Sequence, residues 1–161
     1  MSTMAKSKVV SPKEVSSLCD RLRREKAVIV FTNGIFDLLH PGHVEYLSAA
    51  REMGTHLIVG INTDESTRRI KGEKRPLIPM ESRAEVLAAL SAVSYVTWFE
   101  EDTPAEIIRK VRPAILVKGG DWKPEQIVGR DFVESYDGKV FSIPYLPGTS
   151  TTAMIEKILK L

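Results

Sequence analysis

Cysteine occurs once in the 161 residues, at Cys19, so no disulfide framework holds the chain and a reducing cytoplasm is the compartment expected. An excess of one charge is also missing. The 23 Lys and Arg stand against 21 Asp and Glu, a formal net charge of +2 that is too small to make nucleic acid the main partner. No apolar stretch approaches the roughly 20 residues of a membrane-spanning helix. Residues 1–8 alternate small, polar and basic types without the apolar region of a signal peptide. Neither a membrane anchor nor export is therefore expected. Internal repeats and long linkers are absent, which leaves a single domain over 1–161, 43% hydrophobic and 27% charged and long enough for a core.

What the sequence does have is the stretch Val28-Ile29-Val30-Phe31-Thr32-Asn33-Gly34-Ile35-Phe36-Asp37-Leu38-Leu39-His40-Pro41-Gly42-His43. Its first half is short, β-branched and uncharged, as a strand buried on both faces of a parallel sheet requires, and it breaks at Gly34. Pro41 and Gly42 then open a helix whose unpaired amides carry partial positive charge, a cradle for phosphate. His40 and His43, three apart, can both face one phosphate, as hydrogen-bond donors or as cations. Two other readings of the pair are satisfied structural histidines and a metal site, the latter short of a further ligand cluster. Asp37 can hold a turn or orient a ligand.

Strands and helices alternate along the rest of the chain. Ser11, Pro12 and Glu14 make a capping box for a helix to about residue 26, its apolar stripe Val15, Leu18, Cys19 and Leu22. Cys19 is read as core. A helix from Gly42 to Met53, placing Val44, Leu47 and Ala50 along its length, ends at Gly54. A strand from His56 follows, and Asp64 is expected to cap a short helix. The segment from Arg68 to Pro76 reads as a mobile cationic loop suited to substrate phosphates, with Lys71, Arg75 and Arg83 as the chosen groups. Arg83 lies in a helix whose buried face is expected from Val86, Leu87 and Leu90.

Strands are expected at 95–99, 114–117 and 139–143. The turn Lys118-Gly119-Gly120-Asp121-Trp122 follows one of them and should lie beside the histidine turn, because ligands bind at strand carboxyl ends near the switch point of an open sheet. There Gly119 and Gly120 offer backbone to a nucleobase or ribose, with Asp121 as acceptor. Ser150, Thr151 and Thr152 start the last helix, as caps or as a second phosphate cradle. The fold expected is α/β: one Rossmann-like, doubly wound domain of about five parallel strands with helices on both faces, an N-terminal helix extension over 1–26 and a catalytic core over 27–161.

The Gly-x-Phe-Asp-x-x-His-x-Gly-His set resembles the signature of the cytidylyltransferase-like nucleotidyltransferases. Val117 to Trp122, Ile127-Val128-Gly129 and Gly148 to Thr152 are similar to the nucleotidyltransferase half of bacterial ADP-heptose synthase. The likeness covers nearly the whole chain. It departs at Ile35, where that family often has cysteine, and at Ile155, where a late arginine would fall; Lys71 or Arg75 would then supply the charge. The chain is too short to include the sugar-kinase half, which points to a stand-alone form.

The resemblance implies transfer of AMP from ATP to D-glycero-β-D-manno-heptose 1-phosphate, giving ADP-heptose for lipopolysaccharide and pyrophosphate, with Mg²⁺ bridged by phosphates instead of held by protein ligands. It implies catalysis by His40, His43 and Lys71. Nucleotide contacts are expected from Thr32, Asn33, Gly34, Ile35, Phe36, Asp37, Gly42, Gly119, Asp121, Ser150, Thr151 and Thr152, and phosphate contacts from Arg75, Arg83 and Lys118. A homodimer is expected, with ATP and a sugar 1-phosphate as the small-molecule partners. Glycerol 3-phosphate cytidylyltransferase, a flavin adenylyltransferase and a nucleotide-binding regulator without turnover are the alternatives.

Overall fold

The computed structural model describes residues 4–161; residues 1–3, part of the apolar-poor start, lie outside the described residues. Five strands, β1 (Ile29–Gly34), β2 (His56–Asn62), β3 (Tyr95–Phe99), β4 (Ile115–Gly119) and β5 (Lys139–Ile143), form one sheet in the order β3-β2-β1-β4-β5. Every pairing is parallel. The chain winds outwards from β1 to β3, returns to the other side of β1 for β4, and ends on β5. The switch point therefore lies between β1 and β4, where a parallel sheet opens a crevice at its carboxyl edge.

Among the described residues there are seven α-helices, and helices cover both faces of the sheet, as expected. On one face α1 (Val15–Arg24), α5 (Ala105–Val111) and α6 (Arg130–Glu134) pack on Ile29, Phe31 and Leu116. The stripe Val15, Leu18, Cys19 and Leu22 is fully used there, and burial pushes the Cys19 thiol up to about 11, which leaves it unreactive. On the other face α2 (Pro41–Glu52) and α4 (Met80–Ala89) pack on Val30, Leu57, Val59 and Val117. Two further helices, α3 (Asp64–Lys71) and α7 (Thr151–Ile158), rise from strand ends at the carboxyl edge. Among the described residues no helix is long and apolar enough to cross a membrane.

Several local expectations are corrected. β1 includes Gly34, which still pairs with Ile61, so the strand does not break before it, and β4 runs two residues further, to Gly119. Thr63, not Asp64, caps α3 by accepting the Ser66 amide, because its extended backbone turns the hydroxyl back over the first turn. The basic segment is helical as far as Lys71 and only residues 72–79 form the loop. On α2 the buried face is Gly42, Tyr46, Leu47 and Ala50, with Val44 exposed. On α4 it is Arg83, Ala84, Leu87 and Ala88, so Val86 turns out to solvent. Burying Arg83 among polar partners fixes the rotation of that helix, a constraint that apolar periodicity does not register.

Candidate active site

A cleft of about 530 Å³ opens at the switch point, floored by Asn33 and Gly34 and walled by His43, Lys71, Arg75, Lys118, Thr151 and Thr152. It brings together the carboxyl ends of β1 and β4 with the first turns of α2 and α7.

The turn after β1 carries local strain. Phe36 sits at φ 51°, a left-handed backbone that bulky residues rarely adopt. Such a conformation persists only where neighbours over-determine it, at a cost of about 1–3 kcal/mol, and here both flanking residues are pinned. Arg83 donates from Nη1 to the Ile35 carbonyl at 2.7 Å, from Nε to the Ile78 carbonyl, and from Nη2 to Asp64 at 2.6 Å. Asp37 accepts from Arg75 Nε at 2.7 Å and from the amides of Leu77 and Ile78 at 2.9 Å. Burial alone would raise the Asp37 pKa, but the two amides and the guanidinium together hold it below the usual carboxylate range. Two expectations change as a result. Arg83 has no exposed side-chain surface and serves the turn instead of a substrate phosphate. Asp37 ties the 72–79 loop to the turn, and its oxygens are committed to that task.

The two histidines stack on one another, ring centroids 3.8 Å apart. His43 Nδ1 accepts the His40 backbone amide at 3.4 Å, which assigns the proton to Nε2 and makes that nitrogen a donor. Burial, then the neighbouring His40, push the His43 pKa down to about 4, and burial lowers that of His40 as well. Near neutral pH both rings are therefore donors, not cations. Only His43 lines the main cleft; His40 lines an adjoining depression of about 320 Å³ with Gly148, Thr149 and Ser150. Gly42 keeps the two depressions close, since a Cβ there would overlap Thr149 Oγ1 and lie 3.0 Å from the His40 ring. Gly42→Ala should accordingly lower stability by about 1–3 kcal/mol, the usual penalty for overpacking, as read by urea denaturation.

The cleft's positive charge comes from Lys71, Arg75 and Lys118, set against Asp37 and Asp102 in the same lining. Lys118 has its pKa lowered, first by burial and then by the charge of Lys71, which places the two ammonium groups in one field. Its Nζ lies 5.5 Å from the centroid of the Trp122 ring. Arg75 spends Nε on Asp37, and its two terminal nitrogens have no hydrogen-bond partner among the described residues. Two nearby cations that repel each other in the free cleft are relieved by an anion between them.

The other expected contacts divide. Ile35, Phe36, Thr151 and Thr152 line the cleft with Asn33 and Gly34. Thr151 donates its hydroxyl to the Leu38 carbonyl at 3.1 Å, fastening α7 to the signature turn. Thr32 is fully buried and bonded to Tyr46, Ser150 spends its hydroxyl capping the Ala153 amide, and exposed Asp121 lies outside the cleft lining. Gly119 does not offer backbone to a base, because the Tyr145 ring covers it at 2.7 Å from where a Cβ would stand. Tyr145 also lines the cleft. It was legible in principle, as an aromatic just past the end of β5, where ligands of parallel sheets bind.

The chain as a whole has known relatives. The chain is 53% identical over 154 residues to the bifunctional protein HldE of Trichlorobacter lovleyi and 57% identical over 137 residues to HldE of Syntrophotalea carbinolica, covering 96% and 85% of this chain. It spans only 31% and 28% of those two relatives. Among solved structures, the lipopolysaccharide core biosynthesis protein of Thermoplasma volcanium superposes with a TM-score of 0.63 at 26% identity, over 74% of this chain and 98% of that one. The pantoate-beta-alanine ligase of Francisella tularensis shares the fold alone, with a TM-score of 0.61 at 15% identity over 95% of this chain and 78% of that one. The pattern described as cytidylyltransferase-like matches residues 31–157, from within β1 to the last turn of α7, and the chain belongs to that family.

Proposed function

We propose that the chain transfers AMP from ATP to D-glycero-β-D-manno-heptose 1-phosphate, releasing pyrophosphate. The observation that carries this reading is the convergence of His43, Lys71, Arg75 and Lys118 on one cleft at the switch point. The identity to HldE supports the choice of substrates.

The sugar phosphate is already an anionic nucleophile. Its oxygen attacks the α-phosphorus of ATP, the bond to the bridging oxygen breaks, and pyrophosphate leaves with that electron pair. The protein supplies alignment and charge. His43 Nε2–H donates to phosphate oxygens where charge develops, and the triphosphate raises the imidazole pKa by its own field. Lys118, beside Asn33 and Gly34, meets the reacting phosphate. Lys71 and the free end of Arg75 receive the sugar phosphate. The first turns of α2 and α7 face the outer phosphates with their amides and the Thr151 and Thr152 hydroxyls. His40 and the Ser150 O–H, whose oxygen alone is taken by the Ala153 amide, supply the far end of that cradle from the adjoining depression.

The donors present do not fit a protein-held metal. Asp37 is committed to Arg75 and two amides, Asp102 to Arg69, and no cluster of three or more candidate ligands occurs among the described residues. A divalent cation, Mg²⁺ in this reading, comes with the triphosphate. Residues 27–161 carry the catalysis, in a reducing cytoplasm where the buried thiol of Cys19 stays free. Apolar Met154 and Ile158, exposed on α7, support a homodimer, which should sediment at twice 18.0 kDa.

The test is pyrophosphate release with ATP or CTP and Mg²⁺, each against heptose 1-phosphate and glycerol 3-phosphate. Release with ATP and heptose 1-phosphate alone is expected. Turnover of CTP with glycerol 3-phosphate would move the chain to another member reaction, and nucleotide binding without release would make it a regulator.

A further inference from the structure

β1 and β4 are neighbours in the sheet, yet only two residue pairs join them, Val30 with Ile115 and Phe31 with Leu116. By contrast, β1 pairs with β2 through six residues and β4 with β5 through five. Beyond Phe31 and Leu116 the two strands fork, and the backbone groups on the inner edges of the fork lose their ladder partners.

A side chain of α2 fills that fork. Tyr46 is 3% exposed, and its hydroxyl meets two groups, the Thr32 hydroxyl on β1 and the Val117 carbonyl on β4 at 3.3 Å. One phenolic proton serves one bond, so Tyr46 donates to Val117 and Thr32 donates to Tyr46. Both tied residues immediately precede a residue of the cleft: Asn33 follows Thr32 and Lys118 follows Val117. Tyr46 is also one helical turn from His43 on α2, which puts the donor histidine and the spacer on one rigid element. Burial pushes the Tyr46 pKa up, so the phenol keeps its proton and the bridge holds across the working pH range.

We propose that Tyr46 is a positioning residue: its hydroxyl stands in for the missing β1–β4 ladder and sets the spacing of Asn33 and Lys118 across the nucleotide end of the cleft. The inference rests on the nucleotidyl-transfer reading above and adds to it the residue that fixes the width of the site. Arg75 lies outside its reach, because the loop that carries it is anchored separately through Asp37. The effect of losing the bridge is therefore selective for one substrate.

The test uses the full chain as wild type, Tyr46→Phe, Thr32→Val and the double variant. Both changes keep side-chain volume, and circular dichroism with thermal melting checks that each variant folds. ATP affinity by titration calorimetry should fall about tenfold in Tyr46→Phe and severalfold in Thr32→Val. The double variant should be no worse than the weaker single one, since one bridge is lost only once. The KM for heptose 1-phosphate should stay within about twofold of wild type, which a general loosening of the fold would not allow. Equal ATP affinity in wild type and Tyr46→Phe, or losses that multiply in the double variant, would overturn the assignment of Tyr46 alone. Failure of the wild type to bind ATP or CTP would instead remove the nucleotide reading and this inference with it.

Discussion

Replacing His43 with alanine is expected to lower turnover by about a hundredfold or more, by analogy with the removal of one preorganised donor from an oxyanion site. The ring is fixed on three sides: it lies 3.8 Å from the His40 ring and 5.4 Å from Phe36, and it accepts the His40 amide. A donor held this way needs no reorganisation as negative charge builds on the phosphate. The measurement is kcat for pyrophosphate release, with thermal melting as the check that the fold survives; near-wild-type kcat would exclude His43 from the chemistry.

The same residue makes a separate pH prediction. Its folded pKa of about 4 lies below the ordinary value of 6.5, so the unfolded chain binds more protons between those limits. Stability therefore falls as pH drops from 6.5 towards 4, and this share of the acid sensitivity should vanish in His43→Ala. Denaturant titrations at pH 7 and pH 5 read it directly.

The parts of the fold that rest on local pattern were legible in the sequence. Short β-branched runs mark all five strands, and strand–helix alternation is enough to give a doubly wound sheet and to place the site at the strand ends. Less legible was everything that depends on a polar side chain turning inwards. Arg83, in the helix after the basic segment, reads as a phosphate ligand, yet it is buried because the Ile35 and Ile78 carbonyls and Asp64 take its donors. Thr32, two residues before the signature, reads as a ligand contact and instead serves Tyr46. Spacing shows that such residues matter and not which way they face. Tyr145 and Gly119 make the complementary case: the glycine pair looks like a place for a ligand, and an aromatic from 26 positions further along the chain fills it.

Asp37→Asn is expected to produce the largest loss of stability, about 3 kcal/mol, because it leaves a partly buried guanidinium without its counter-charge. The asparagine is nearly isosteric but turns one acceptor oxygen into an NH₂ donor, which would face either the Arg75 Nε–H or the Leu77 and Ile78 amides. For a domain of this size the corresponding fall in Tm is roughly 6–12 °C. The native carboxyl titrates below its ordinary value of 3.8. Its contribution is therefore complete above the unfolded pKa and disappears as pH falls through the lower folded one, so the wild-type advantage over Asp37→Asn should shrink below about pH 4. Function should suffer as well, since this carboxylate ties the 72–79 loop, and with it Arg75, to the turn beside the cleft. The KM for the sugar phosphate is expected to rise about tenfold, while that for ATP moves little. Arg75→Met should raise the sugar-phosphate KM in the same way and should also cost stability, because the Asp37 side chain, 1% exposed, keeps its two amides but loses its counter-charge. A melting temperature for Asp37→Asn within 2 °C of wild type would show that the loop is held by something other than this carboxylate.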